Sequence, residues 1–127
     1  MIFGIGVDIV HIPRIQAALE RFGQPFAARL LSEAELVEYA RSSQPAAFLA
    51  KRFAAKEAAA KAMGTGFRLG LNLRHIEVVN NRHGRPALTF HGRGEALRLE
   101  LGIGASHLSL TDEREYAIAF VTLMTAS

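Results

Sequence analysis

The 127-residue chain contains no cysteine, which excludes a disulfide framework, a thiolate nucleophile and any metal site built on cysteine. Charge of one sign is also scarce. There are 15 Lys and Arg against 12 Asp and Glu, and the formal net charge of +3 favours phosphates or an acidic partner without arguing for nucleic acid. Closely spaced aromatics on a strand, which would make a base-stacking platform, are missing, and no helix concentrates Lys and Arg. No stretch approaches the roughly 20 apolar residues of a membrane span. The N-terminal apolar run has no basic leader and carries Asp8, so a cytoplasmic protein without membrane attachment is expected. Low-complexity segments and long linkers are absent. Half of the residues are apolar, and one compact domain over residues 1–127 with a real core is expected.

What is present begins with "FGIGVDIVHIPRI". Residues 2 to 10 read as a β-strand with Ile2, Gly4, Gly6 and Asp8 on one face and Phe3, Ile5, Val7 and Ile9 on the other. Pro13 suits the first turn of a helix in which Ile12, Ile15, Leu19 and Phe22 repeat at helical spacing, and Gly23 ends it. In "LSEAEL", Ser32 and Glu35 form a capping box between the staple residues Leu31 and Leu36, which predicts a helix from about 33 to 41. A longer helix is predicted from Pro45 to Met63, stopped by "GTG". "HIEVV" and "PALTF" read as a hairpin, a short helix runs from about Gly92 to Leu101, and "SHLSLT" and "EYAIAFVTLM" form a second hairpin closed at Asp112 to Glu115. The order is β-α-α-α-β-β-α-β-β. Adjacent hairpins in a mixed order argue for an α+β fold, with a β-α-β-β grouping used twice.

Three constellations carry chemistry. Asp8 lies in an apolar strand, where a desolvated carboxylate costs several kcal/mol unless capped, paired with an arginine or bound to a metal (order of magnitude). In "KRFAAKEAAAKAMGTG", Lys51, Arg52, Lys56, Glu57 and Lys61 point in several directions round a helix instead of forming one solvated face, so some of them must meet partners or ligands. Glu57 and Lys61 also have the spacing of a surface pair worth roughly 0.2 to 0.5 kcal/mol. If Asp8 and Glu57 meet instead, two carboxylates with substrate phosphates and water make the oxygen environment that Mg²⁺ prefers. In "SHLSLTDEREYAIAF", His107, Ser109 and Thr111 share one strand face, either a ligand-facing wall or a solvated surface. Neither a nucleophile elbow, a dinucleotide fingerprint nor a P-loop is present.

Taken together, "GIGVDIVHIPRI", "FLAKRFAAKEAAAKAMGTG" and "HLSLTDEREYAIA" make the chain resemble the holo-acyl-carrier-protein synthases, the small bacterial 4′-phosphopantetheinyl transferases, from residue 2 to about 122. The resemblance implies an Mg²⁺-dependent enzyme that transfers the 4′-phosphopantetheine arm of coenzyme A to a serine of an apo acyl carrier protein, in support of fatty acid biosynthesis. It implies that Asp8 and Glu57 hold the metal and that Lys61 faces the phosphates. It implies the α+β fold of that family and a homotrimer with active sites at subunit interfaces. Many relatives carry histidine where this chain has Asp112, so the role of that imidazole does not transfer and Asp112 is left outside the site.

The expected reaction is attack by the carrier's serine hydroxyl on the β-phosphorus of coenzyme A, with adenosine 3′,5′-bisphosphate leaving. The hydroxyl proton goes to Glu57 or to water. Arg52, His107 and Ser109 are candidates for the other phosphate groups of coenzyme A. Arg14 and Arg21, two turns apart on one helix face, form a strip suited to an acidic carrier protein, with Arg29 a further candidate. The alternatives are a small basic nucleic-acid-binding domain and a non-catalytic carrier-binding module. The second has no need of both Asp8 and Glu57.

Overall fold

The computed structural model describes all 127 residues, and its elements are β1 (Ile2–His11), α1 (Ile12–Phe22), α2 (Gln24–Leu30), α3 (Glu33–Arg41), α4 (Pro45–Met63), a 3₁₀ turn (Leu73–His75), β2 (Ile76–Asn80), β3 (Pro86–Phe90), α5 (Arg93–Glu100), β4 (Ile103–Asp112) and β5 (Tyr116–Thr125). The fold is α+β, as expected. It has one helix more before β2 than the predicted three. Gly23, with φ +67°, does break α1, but Pro25 sits in the first turn of a new helix that starts at once. A stop signal followed directly by a start signal reads in sequence as one boundary.

β5 is the centre of an antiparallel three-stranded sheet ordered β1-β5-β4, and β2 and β3 form a separate hairpin. Helix α4 runs against the inner face of β1 and β5 and is enclosed along most of its length. That is why its sequence has no polar stripe. Leu49, Ala50, Ala54, Ala55, Ala58, Ala59, Ala60 and Ala62 are all buried, and short side chains let the helix approach the sheet closely. The strand reciprocates. A Cβ on Gly6 would collide with the carbonyl oxygen of Ala58, and one on Gly4 with that of Ala62. From β5, Ala117, Ala119, Val121 and Leu123 complete this layer.

The opposite face of the sheet is uncovered in the single chain. Ile5, Val7 and Ile9 of β1 and Tyr116, Ile118 and Phe120 of β5 are exposed there. The apolar face of the first strand therefore points outward, while its small-residue face with Asp8 meets α4. No helix is long and apolar enough to cross a membrane.

Candidate active site at the β1–α4 contact

Asp8 follows Gly4 and Gly6 on the inner face of β1, so the two glycines that bring the strand onto α4 also deliver its carboxylate to the helix. Lys61 Nζ donates to Asp8 Oδ1 at 2.9 Å and to the carbonyl oxygen of Val7 at 3.0 Å. The Asp8 side chain is 16% exposed and that of Lys61 53%, so the pair sits at the rim of the contact with one side open to solvent. Glu57, one turn before Lys61 on α4, shares the same environment. Burial pushes its carboxyl above the usual glutamate range, the nearby negative charge of Asp8 pushes it further, and Lys61 pulls the other way. Two carboxylates and one ammonium thus gather from segments about fifty residues apart in sequence.

The other charges of α4 have different destinations. Lys56 is completely buried, and its ammonium donates to Glu35 Oε1 at 2.5 Å, to Leu30 O at 2.7 Å and to Leu73 O at 3.0 Å. The capping box read from sequence is present, with Ser32 Oγ accepting from the Glu35 amide and Glu35 Oε1 accepting from the Ser32 amide. Its glutamate has a second task that local pattern did not reveal, as the buried partner of Lys56. The signal available in sequence was the lack of a solvated face on α4, which required its charges to be met somewhere.

Arg52 is not brought to Asp8, Glu57 and Lys61. It lies on another side of α4, where Nη1 donates to Val78 O at 2.7 Å, Nη2 to Glu38 Oε2 at 3.0 Å, and the guanidinium stacks over Phe48. It borders a cavity of about 350 Å³ together with Lys51, Phe48, Asn80, Pro86 and Asp112. Asp112, at the end of β4, pairs with Lys51 at 3.7 Å. His107 and Ser109 also lie on β4, opposite Thr122 and Phe120 of β5, and both are on the exposed sheet face. Asp8 is on the other face and two strands away, so His107 and Ser109 are separated from it within one chain. Arg14 and Arg21 are exposed on α1, with Arg21 stacked over the exposed ring of Phe22, and Arg29 is exposed on α2. A hollow of about 860 Å³ between Arg29, Glu33, Arg74, His75 and His91 contains neither Asp8 nor Glu57.

Chemically, the β1–α4 rim offers oxygen ligands for one hard cation and an ammonium beside them for anionic substrate oxygens. No group of three or more acidic or imidazole side chains forms a protein-made cage. A family model described as the 4′-phosphopantetheinyl transferase superfamily matches residues 4–121. The chain is 54% identical over 125 residues to a holo-acyl-carrier-protein synthase of Halorhodospira halophila, covering 98% of this chain and 99% of that one. The fold matches the crystal structure of the holo-acyl-carrier-protein synthase from Neisseria meningitidis with a TM-score of 0.94 at 42% identity, over 98% of this chain and all of the other (100%). It also matches a holo-acyl-carrier-protein synthase from Bacillus anthracis in complex with CoA (3′,5′-ADP), with a TM-score of 0.80 at 36% identity over 100% and 99% of the two chains.

Proposed function

This chain belongs to the 4′-phosphopantetheinyl transferase superfamily, and from that premise we propose that it transfers the 4′-phosphopantetheine arm of coenzyme A to a serine of an apo acyl carrier protein. The observation that carries the reading is the convergence of Asp8, Glu57 and Lys61 at an open rim. A nucleic-acid-binding domain or a non-catalytic carrier module would leave two facing carboxylates without a task.

The donor set fits Mg²⁺. Asp8 and Glu57 supply two hard oxygen ligands of a site that is not closed by protein, which suits an ion that keeps water and substrate phosphates in its shell. When bound there, Mg²⁺ supplies neutralisation of the charge on the diphosphate. Lys61 stands beside these carboxylates with a half-exposed ammonium, placed to meet non-bridging phosphate oxygens in the transition state. In the reaction a bond forms between the carrier's serine oxygen and the β-phosphorus while the bond from that phosphorus to the leaving bisphosphate breaks. The serine proton needs an acceptor, and either Glu57 or a water at the site would serve. Arg52 borders a separate hollow in which Glu38 and Asp112 balance the charges of Arg52 and Lys51, and its buried guanidinium is already paired, so its place with the coenzyme's other phosphates rests on its position beside that hollow alone.

The same reading includes a homotrimer with active sites at its subunit interfaces. Ile5, Val7, Ile9, Tyr116, Ile118 and Phe120 give the sheet an apolar outer face of the kind that marks an interaction surface. His107 and Ser109 share that face and act at a coenzyme held by Asp8 and Lys61 only if a second copy brings them there. The three-fold closure is what the family resemblance implies. Arg14, Arg21 and Arg29 face the solvent as the dock for the acidic carrier.

The decisive experiment incubates the protein with coenzyme A, Mg²⁺ and an apo acyl carrier protein and weighs the carrier by mass spectrometry. A gain of about 340 Da, lost when the metal is chelated, is expected for the transferred arm. An unmodified carrier at saturating coenzyme A and Mg²⁺ overturns the reading.

A further inference from the structure

Two cations on α4 turn away from the rim into the protein, Arg52 meeting Val78 of β2 directly and Lys56 reaching it through Glu35. The carbonyl of Val78 accepts from Arg52 Nη1 at 2.7 Å, while its amide donates to Glu35 Oε2 at 2.9 Å. Both backbone groups lie on the edge of β2 that β3 leaves unpaired, so side chains from α3 and α4 stand where a third strand would pair. Arg52 and Lys56 are one turn apart on α4, and their acidic partners Glu38 and Glu35 are one turn apart on α3. The result is a double ion-pair clasp on one residue of β2.

The inner half of the clasp is the more constrained. An ammonium has three donors, and those of Lys56 are all taken, by the end of α2, by α3 and by the 3₁₀ turn. Three acceptors on three separate segments leave it one orientation. On the β1 side of α4 the only such directional contact is that of the half-exposed Lys61 at the rim. Within the buried contact Ala58 and Ala62 lie on Gly6 and Gly4, a smooth surface with no large side chain to key the helix against turning. Each helical residue advances about 100°, so the direction in which Lys56 is held also sets the directions of Glu57 and Lys61.

We propose that Lys56 and Glu35 are positioning residues for the transfer reaction, their buried ion pair fixing the roll of α4 about its axis and through it the reach of Glu57 and Lys61 towards Asp8. The inference rests on the transferase reading given above. An apolar pair of similar volume often holds a protein together as well as a buried ion pair does, but its contacts have no direction. Direction is what the rim requires, since a misplacement of about 1 Å at a reacting group can cost about a hundredfold in rate.

The test uses the paired variant Glu35→Leu/Lys56→Met in the full chain, which leaves no buried charge unmet. In the folded variant the amide cross-peaks of Gly4, Gly6 and Asp8 in an ¹⁵N–¹H spectrum should move, although these residues lie on the far side of α4. The kcat for carrier modification should fall about tenfold or more, with the KM for coenzyme A changing much less. A substitution that altered stability alone would move neither reading in the folded state. Should the paired variant not fold, Glu35→Gln, which keeps the volume and one acceptor oxygen, takes its place with the same two readings. If either the β1 cross-peaks or kcat stays at the wild-type value, the proposal is overturned. A wild-type protein that modifies no carrier would retire the transferase reading instead, and the spectra would still decide whether the clasp sets the roll.

Discussion

Lys61 reaches across from α4 to hold both the side chain of Asp8 and the carbonyl of Val7, so one ammonium reads two consecutive residues of β1. This contact is local to the rim and owes little to the core. The head of Lys61 is half exposed, and an exposed ion pair of this kind contributes at most about 1 kcal/mol to folding.

Substituting Asp8 or Glu57 by alanine should therefore separate activity from stability. Each change is expected to lower carrier modification by about a hundredfold or more, because it removes an interaction aimed at substrate charge. Melting temperatures should stay close to that of the parent. A purified Asp8→Ala protein with full activity at saturating Mg²⁺ would remove Asp8 from the site.

The pH dependence follows from Glu57. Burial is the largest cause of its raised pKa, the Asp8 charge adds to it, and Lys61 opposes both. The ionised form is needed to hold the metal, so at sub-saturating Mg²⁺ kcat/KM should fall as the pH drops through that raised value of the metal-free protein, at a higher pH than a free glutamate would give, and saturating Mg²⁺ should move the fall to lower pH. For folding, the sign is the reverse of an ordinary paired carboxylate. The native state binds this proton more tightly than the unfolded chain, so between the unfolded and folded pKa values stability declines as pH rises. Thermal melts across that window should show the decline in the parent and a flatter profile in Glu57→Gln.

The proposed sharing of the site between subunits has its own signature. Asp8→Ala and His107→Ala proteins should each be weak alone, yet recover part of the activity when mixed and allowed to exchange subunits, because some interfaces then join an intact Asp8 to an intact His107. Phe120→Glu, which places a charge in the exposed apolar face, should give monomers by light scattering and lose activity with them. Failure of the mixture to exceed the sum of its parts would confine His107 to its own chain.

Docking of the carrier through Arg14 and Arg21 should be sensitive to salt. Raising ionic strength from low values is expected to increase the KM for the carrier more than that for coenzyme A, since contacts between exposed charges are screened within a Debye length of about 10 Å at 0.1 M. Charge reversal at Arg14 should mimic high salt while leaving the coenzyme KM unchanged. Equal responses of both Michaelis constants would remove the docking role.

Much of this protein is written locally. The helix of α4 begins at Pro45 and ends at Met63, as its proline and glycine signals require, and Ser32 caps α3 with Glu35 as the four-residue pattern predicts. These signals act between neighbours in the chain, where geometry is set by turn and cap chemistry alone. A carboxylate in an apolar strand and charges on a helix without a polar face demand partners, which pointed to Asp8 and to the five charges of α4, and only the resemblance picked out Glu57 and Lys61 among these. The chain could not say which partners. That Lys56 goes inward to Glu35 while its neighbour Glu57 goes to the rim, and that Arg52 clasps Val78, depends on contacts between residues 21 to 43 positions apart. The outward turn of Ile5, Val7 and Ile9 was equally undetermined by alternation, which fixes two faces but not which of them is buried. Only the docking of the Gly4 and Gly6 face onto α4 made that choice, since close packing admits the small face and leaves the large one uncovered.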